Sequence, residues 1–191
     1  TVEPIPRGVV TIITPWNLPI QLTLNPLMDA LSAGNVCIVK MSERCVHCTK
    51  LLSHLLTCGK YVDDRVVKVV IGGADEATEL LEQRVDVISY TGGITVGRKV
   101  ALAAAKHLTP VLLELGGKNP NIIFADADID DAIDNAVTAG FLHSGQVCSA
   151  GTRLLVEASI HDRVVDELVR RAREITLGGP DNEFAETGPL I

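Results

Sequence analysis

Aromatic side chains are scarce in this sequence: Phe, Tyr and Trp supply 3% of 191 residues. Any core is therefore aliphatic, built from Val, Ile, Leu and Ala. Positive charge is also short, with 17 Lys and Arg against 24 Asp and Glu, a net charge of -7 and a pI near 5.2. That balance excludes a basic surface tracking nucleic acid or an anionic membrane. No apolar run approaches the ~18–20 residues of a membrane span, and no basic stretch leads into an apolar one at the start of the chain. There is no Asn-x-Ser/Thr acceptor, and five cysteines is an odd number for a disulfide framework. Together these point to a reducing cytoplasm rather than secretion.

Several familiar signatures are missing too. The chain holds no G-x-G-x-x-G, no G-x-S-x-G and no H-E-x-x-H. Gly92 and Gly97 bracket four residues, but Arg98 follows where a P-loop needs Lys and then Ser or Thr. Asp126, Asp128 and Asp130 begin like a calcium loop. Asp131 then stands where that loop needs Gly, and Val137 where it needs Glu, so an acid-capped helix start explains the acids better.

What is present reads as alternating strands and helices. Hydrophobic residues make up 47% and charged residues 21%, the proportions of a folded domain. Val9 to Thr14, Val36 to Lys40, Val66 to Ile71, Val85 to Ser89 and Val111 to Leu115 are short apolar runs without in/out alternation, as parallel strands covered on both faces require. Between them, Ile20, Leu24, Leu27, Met28 and Leu31 recur at helical spacing, with Gly34 where a helix end belongs. Cys48, Leu51, Leu52, Leu55 and Leu56 form a second stripe, and Glu76 to Gln83 and Thr95 to Leu108 two more helices. The pattern predicts a doubly wound parallel sheet with ligands at the strand carboxyl ends. A breaker-rich joint, Gly116-Gly117-Lys118-Asn119-Pro120, predicts a domain boundary. The expectation is a dinucleotide-binding domain over 1–115 and the start of a second α/β domain over 116–191. In the latter, Asn121 to Phe124 and Leu154 to Glu157 are strands, and Asp128 to Phe141 and Ile160 to Ile175 helices.

Six positions suggest chemistry. Cys148, in the small-residue loop Gly145-Gln146-Val147-Cys148-Ser149-Ala150-Gly151, suits an exposed nucleophile, and equally an inert thiol. Glu114 ends the apolar strand Val111-Leu112-Leu113-Glu114-Leu115; a carboxyl there is either paired or poised as a general base. Asn17, in Pro15-Trp16-Asn17 after the first strand, can donate to an oxyanion or simply shape a turn. Glu43, just past the second strand, stands where a dinucleotide site puts an acid on ribose hydroxyls, or where a helix starts. Thr91-Gly92-Gly93 would set backbone N–H groups against a phosphate at a helix N-terminus. Cys45 and Cys48, with His54 and Cys58 downstream, admit zinc or a dithiol, but their shared face with Leu52 and Leu55 favours packing.

Taken in order, these residues resemble the aldehyde dehydrogenase superfamily. The matching stretches are Ile13-Thr14-Pro15-Trp16-Asn17-Leu18-Pro19, Lys40-Met41-Ser42-Glu43, Tyr90-Thr91-Gly92-Gly93, Glu114-Leu115-Gly116-Gly117-Lys118 and Gly145-Gln146-Val147-Cys148. They span essentially the whole chain. His143 to Gly151, and Gly93 where many members carry Ser, resemble the betaine-aldehyde branch; Ala103 to Pro110 resembles the fatty and aromatic aldehyde branch.

The resemblance implies a Rossmann-like cofactor domain and oxidation of a small-molecule aldehyde to an acid. Cys148 would be the nucleophile, Asn17 and the Cys148 N–H the oxyanion donors, and Glu114 the base that activates water. NAD+ would be the cofactor, held by Thr14, Pro15, Trp16, Lys40, Ser42, Glu43, Thr91, Gly92, Gly93, Leu115 and Gly116. NADP+ is disfavoured because the Glu43 carboxylate repels a 2′-phosphate. No metal, nucleic acid or membrane is implied. The resemblance covers only the middle of such enzymes, implying a fragment of a homo-oligomeric protein. The alternative is a nucleotide-binding fragment without turnover.

Overall fold

The computed structural model describes residues 3–191. They form two compact units, the first running to Leu115 and the second comprising Gly116–Ile191.

The first unit is a five-stranded sheet in the order β3-β2-β1-β4-β5, every pairing parallel. Its strands are β1 (Val9–Ile13), β2 (Val36–Lys40), β3 (Val67–Val70), β4 (Val87–Gly92) and β5 (Val111–Leu115). Helices α1 (Gln21–Ser32), α2 (Val46–Thr57), α3 (Ala74–Glu82) and α4 (Ile94–Ala105) connect them. Parallel neighbours demand such crossovers, and β-branched residues suit the doubly covered centre. Ile12 and Val39 are completely buried, with Leu27 of α1 and Val67 of β3 in the same cluster. A second cluster, Ile13, Ile88, Tyr90, Val100 and Ala104, packs α4 against β4.

Three expectations need correction. β4 starts two residues later than predicted and continues through Tyr90-Thr91-Gly92, because β5 offers pairing partners there: Thr91 lies opposite Glu114 and Gly92 opposite Leu115. β5 is not covered on both faces; it is an edge strand, with Leu112 63% exposed and Glu114 also exposed. On α2 the buried stripe is Thr49, Leu52 and Leu56, while Leu51 and Leu55 are turned outward. A threonine can take that inner place because its hydroxyl donates back to the Cys45 carbonyl at 3.1 Å.

One polar side chain knits the amino-terminal edge of this sheet. Helix α1 is closed off by Gly34, two residues past its end and left-handed at φ 84°, with Gly34 N–H on the Leu31 carbonyl and Asn35 N–H on the Ala30 carbonyl. Asn35 is then buried at the mouth of β2. Its Oδ1 accepts from Arg7 N–H at 2.6 Å and Gly8 N–H at 3.1 Å, and its Nδ2 donates to the Ala30 carbonyl at 2.8 Å.

The second unit pairs β6 (Pro120–Ile123) with β7 (Arg153–Val156) in parallel, joined through α5 (Ile129–Phe141) and followed by α6 (His161–Glu174). Asp128 caps α5, accepting from Asp131 N–H at 3.3 Å, as the acid run predicted. Ile123, Ile133, Ala136 and Val164 form the core. Arg171 of α6 pairs with Asp134 of α5, and with Glu167 at 3.2 Å. Hydrogen bonds from Arg170 and Arg171 hold the Glu167 carboxyl down to about 2.

Replacing Asn35 by Ala strands two N–H donors at the start of β1, so Asn35→Ala should lose about 1–3 kcal/mol of stability in urea unfolding. An unchanged midpoint and slope would mean that water replaces the amide without cost.

Candidate cofactor cleft and reactive thiol

The strand order reverses beside β1: β2 lies on one side and β4 on the other. Register does the rest. Ile13 is opposite both Lys40 and Tyr90, so β1 and β2 end together while β4 runs on beside β5 to Gly92. Thr14 N–H donates to the Lys40 carbonyl at 3.0 Å, adding a rung beyond β1, and its hydroxyl lies 2.8 Å from that of Thr23 on α1. Between these exits opens a cleft of about 280 Å³. Thr14, Pro15, Trp16, Lys40, Ser42, Glu43, Thr91, Gly92 and Gly93 all line it, so nine of the residues singled out from sequence come together.

Lys40 is the buried charged group of this cleft, which Glu43 and Arg44 also line. It is 4% exposed, and its Nζ donates to the Met41 carbonyl at 3.3 Å and lies 3.6 Å from Glu43 Oε2. An ammonium has three donors, so one hydrogen bond and one loose ion pair leave capacity for a further oxygen. Burying such a group unpaired is costly, which makes a ligand acceptor welcome there. Glu43 sits at the open side, exposed, on a short 3-10 turn (Glu43–Cys45) capped by Ser42 Oγ. Cys45 Sγ donates to the Trp16 carbonyl at 3.2 Å, and burial and then Cys48 push its thiol up. Cys45 thus ties the Trp16 loop to α2. Among the described residues no three His, Cys, Asp or Glu side chains gather as a metal site.

Two helix starts border the cleft, and they differ. At α3, Glu76 Oε2 accepts from Gly73 N–H at 2.6 Å, and backbone N–H groups of Glu76 and Gly73 hold that carboxyl below its usual range. At α4, Gly93 is the cap residue, with no side chain accepting from the first turn and no acid in it. Its N–H groups and the helix dipole face whatever binds. Tyr90, buried, donates its hydroxyl to the Gly93 carbonyl at 3.2 Å and so steadies the turn.

Other predicted residues lie elsewhere. Asn17 is half-buried in the turn after β1 and does not line the cleft. Glu114 stands exposed on β5, and its carboxylate has no ion pair or hydrogen bond among the described residues, so the paired alternative is not what the structure holds. Leu115 packs on α4, where a Cβ on Gly97 would come within 2.6 Å of its Cδ2. Gly116, exposed, opens the second unit. Within that unit Cys148 is exposed, on a loop tied by Gly151 N–H to the Ala139 carbonyl of α5 at 2.9 Å.

Sequence reasoning missed Arg44, Tyr90, Gly73 and Ala74 as lining residues. Gly72-Gly73 before an acidic helix start was a usable signal for the last two, since that dipeptide leaves β3 at the same sheet edge. Nothing local distinguishes Arg44 from an ordinary surface arginine.

The Aldehyde dehydrogenase family model matches residues 1–191. A betaine aldehyde dehydrogenase of Bacillus subtilis is 47% identical over 189 residues, covering 97% of this chain and 38% of that protein. A rat protein, "Aldehyde dehydrogenase, dimeric NADP-preferring", is 44% identical over 169 residues, 88% of this chain and 37% of its own length. Among solved structures, a betaine aldehyde dehydrogenase point mutant of Staphylococcus aureus in complex with NAD+ superposes with a TM-score of 0.91 at 39% identity, over 97% of this chain and 37% of that one. The chain thus spans somewhat over a third of the length of these relatives.

Exposure ranks the thiols. Cys58 and Cys148 are exposed, whereas Cys37 is buried and its thiol is pushed up to about 11. Iodoacetamide at neutral pH, read by peptide mass spectrometry, should therefore label Cys58 and Cys148 first and Cys37 only on unfolding.

Proposed function

This chain belongs to the aldehyde dehydrogenase family, and from that membership we propose that it supplies the cofactor cleft and the nucleophile of an NAD+-dependent oxidation of an aldehyde to a carboxylic acid. One observation carries the proposal: an under-partnered buried Lys40 beside Glu43, level with the uncapped start of α4, in a cleft at the strand-order reversal. Those are the requirements of a dinucleotide, a ribose diol at one end and a diphosphate at the other.

The residues fit NAD+. Lys40 and Glu43 would hold ribose hydroxyls, the Gly93 end of α4 would hold the diphosphate, and Thr14, Pro15 and Trp16 would form the wall; Leu115 and Gly116 would also hold the cofactor. Gly93 leaves the phosphate backbone donors but no hydroxyl. Glu43 at the open side repels a 2′-phosphate, which favours NAD+ over NADP+ although Arg44 stands next to it.

Cys148 attacks the aldehyde carbon as a thiolate, and the carbonyl pair becomes an oxyanion. The Asn17 amide and the Cys148 N–H donate to that oxyanion. Bound NAD+ supplies the hydride acceptor, which leaves the substrate carbon as a thioester on Cys148. Glu114 takes a proton from water; the water oxygen adds to the thioester carbon, and the acid and the thiolate separate. An unpaired carboxylate, as Glu114 has, is free to do so. Five free thiols suit a reducing cytoplasm. Among the described residues no helix is long and apolar enough to cross a membrane. Exposed Ile122, Phe124 and Leu155 support assembly into a homo-oligomer.

Cys148→Ser should lower NADH formation from betaine aldehyde or hexanal by more than ~10⁴-fold, and Asn17→Ala should lower kcat by ~10²–10³-fold. Activity surviving Cys148→Ser would overturn the thiol mechanism, and no NADH from the unaltered chain would leave a nucleotide-binding fragment without turnover. Separately, Glu43→Gln should narrow the kcat/KM preference for NAD+ over NADP+ by roughly tenfold.

A further inference from the structure

The loop that carries Cys148 is wound against its own preference and tied to the end of the chain. His143, Ser144 and Gly145 follow one another in the left-handed region, at φ 54°, 57° and 72°. Gly145 takes that conformation freely. His143 and Ser144 each carry a Cβ that crowds the next carbonyl there, and successive left-handed residues are rare. Such backbone persists only where its surroundings hold it.

The surroundings here are the last stretch of the chain. Ser144 N–H donates to Thr187 Oγ1 at 2.9 Å, and Ser144 Oγ donates to the Gly188 carbonyl at 2.5 Å. The two hydroxyl oxygens are 2.8 Å apart. Ser144 has one hydroxyl proton and spends it on Gly188, so the Thr187 hydroxyl must be the donor between them while its oxygen accepts the Ser144 N–H. Every hydrogen has one place. Two residues on, Gln146 Oε1 accepts from Ile191 N–H at 3.1 Å. Thr187 is itself fixed: it bridges Leu177, its carbonyl accepts from Gly178 N–H at 3.1 Å, and Glu186 Oε2 accepts from Thr176 N–H at 2.8 Å.

We propose that Thr187 is a positioning residue for Cys148, its hydroxyl fixing through Ser144 the left-handed turn just before the thiol and so setting where Sγ stands. This rests on the thiol chemistry proposed above and adds to it a residue that touches no substrate. None of His143, Ser144 or Thr187 belongs to the core of the unit, which is Ile123, Ile133, Ala136 and Val164. Loss of the clamp therefore displaces the loop without dissolving the fold.

The test compares Thr187→Val with Thr187→Ser in the full chain. One readout is the rate of Cys148 alkylation by iodoacetamide relative to Cys58 in the same sample. The other is kcat and the KM for NAD+ with hexanal. In Thr187→Val the Cys148 rate should change by at least about tenfold and kcat should fall roughly 10- to 100-fold, as for a misplacement of about 1 Å. The KM for NAD+ should stay within about twofold, because no residue of the clamp lines the cleft. Thr187→Ser should restore both rates. The proposal is overturned if Thr187→Val leaves the relative alkylation rate within about twofold of the parent, or if Thr187→Ser falls as far as Val. Should Thr187→Val fail to fold, Ser144→Gly and Ser144→Ala decide. Both remove the hydroxyl, but only Ala keeps the crowded Cβ, so Ala should be the more displaced, and equal rates overturn the clamp. Cys148→Ser separates the two levels. Activity surviving it sinks the thiol mechanism, while the alkylation comparison still judges the clamp by itself.

Discussion

Everything in the first unit hangs on the register of one strand. β1 is hydrogen-bonded on both sides, and Ile13 faces Lys40 on β2 and Tyr90 on β4 at the same level. Because side chains alternate along a strand, a slip of one residue on either side would turn the buried Val39 or Ile88 to the opposite face, away from its packing partners. The hydrophobic core therefore enforces the alignment, and the alignment sets the Lys40, Thr14 and Thr91 backbones at a common edge. The cleft is a by-product of packing that the sequence could not avoid once β1 was central.

Charge in that cleft is rationed in the same economical way. Lys40 is the last residue of an otherwise apolar strand, so strand length alone sets its ammonium, 4% exposed, at the sheet edge. Glu43 follows on a short turn that Ser42 caps. A charged pair is thereby produced with no insertion into the fold, by strand length and one turn. Cys45 shows the same economy, since its thiol, free of any disulfide, donates to the Trp16 carbonyl.

The fold was legible to the extent that local chemistry decided it. β2 and β5 begin and end where their apolar runs do, and Asp128 caps α5 as its acids suggested. β4 was misjudged because its last residues, Tyr90-Thr91-Gly92, are held by Glu114 and Leu115, partners distant in the chain. Thr49 and Leu55 exchanged places because helical phase is blind to a hydroxyl that can satisfy itself. In the candidate site, the cleft residues were legible because each follows a strand directly. Arg44 and the Ser144–Thr187 clamp were not, because their meaning comes from segments that meet only in three dimensions.

The unequal helix starts around the cleft have a further consequence. At α3 the positive end is already answered by the chain's own Glu76, while at α4 it is left open. Two similar sockets would accept an elongated molecule in either sense. With one socket plugged from within, a ligand with a single anionic stretch meets a well at one end only, and its two ends cease to be interchangeable. A carboxylate of the chain itself thus makes the two ends of the cleft unequal before anything binds.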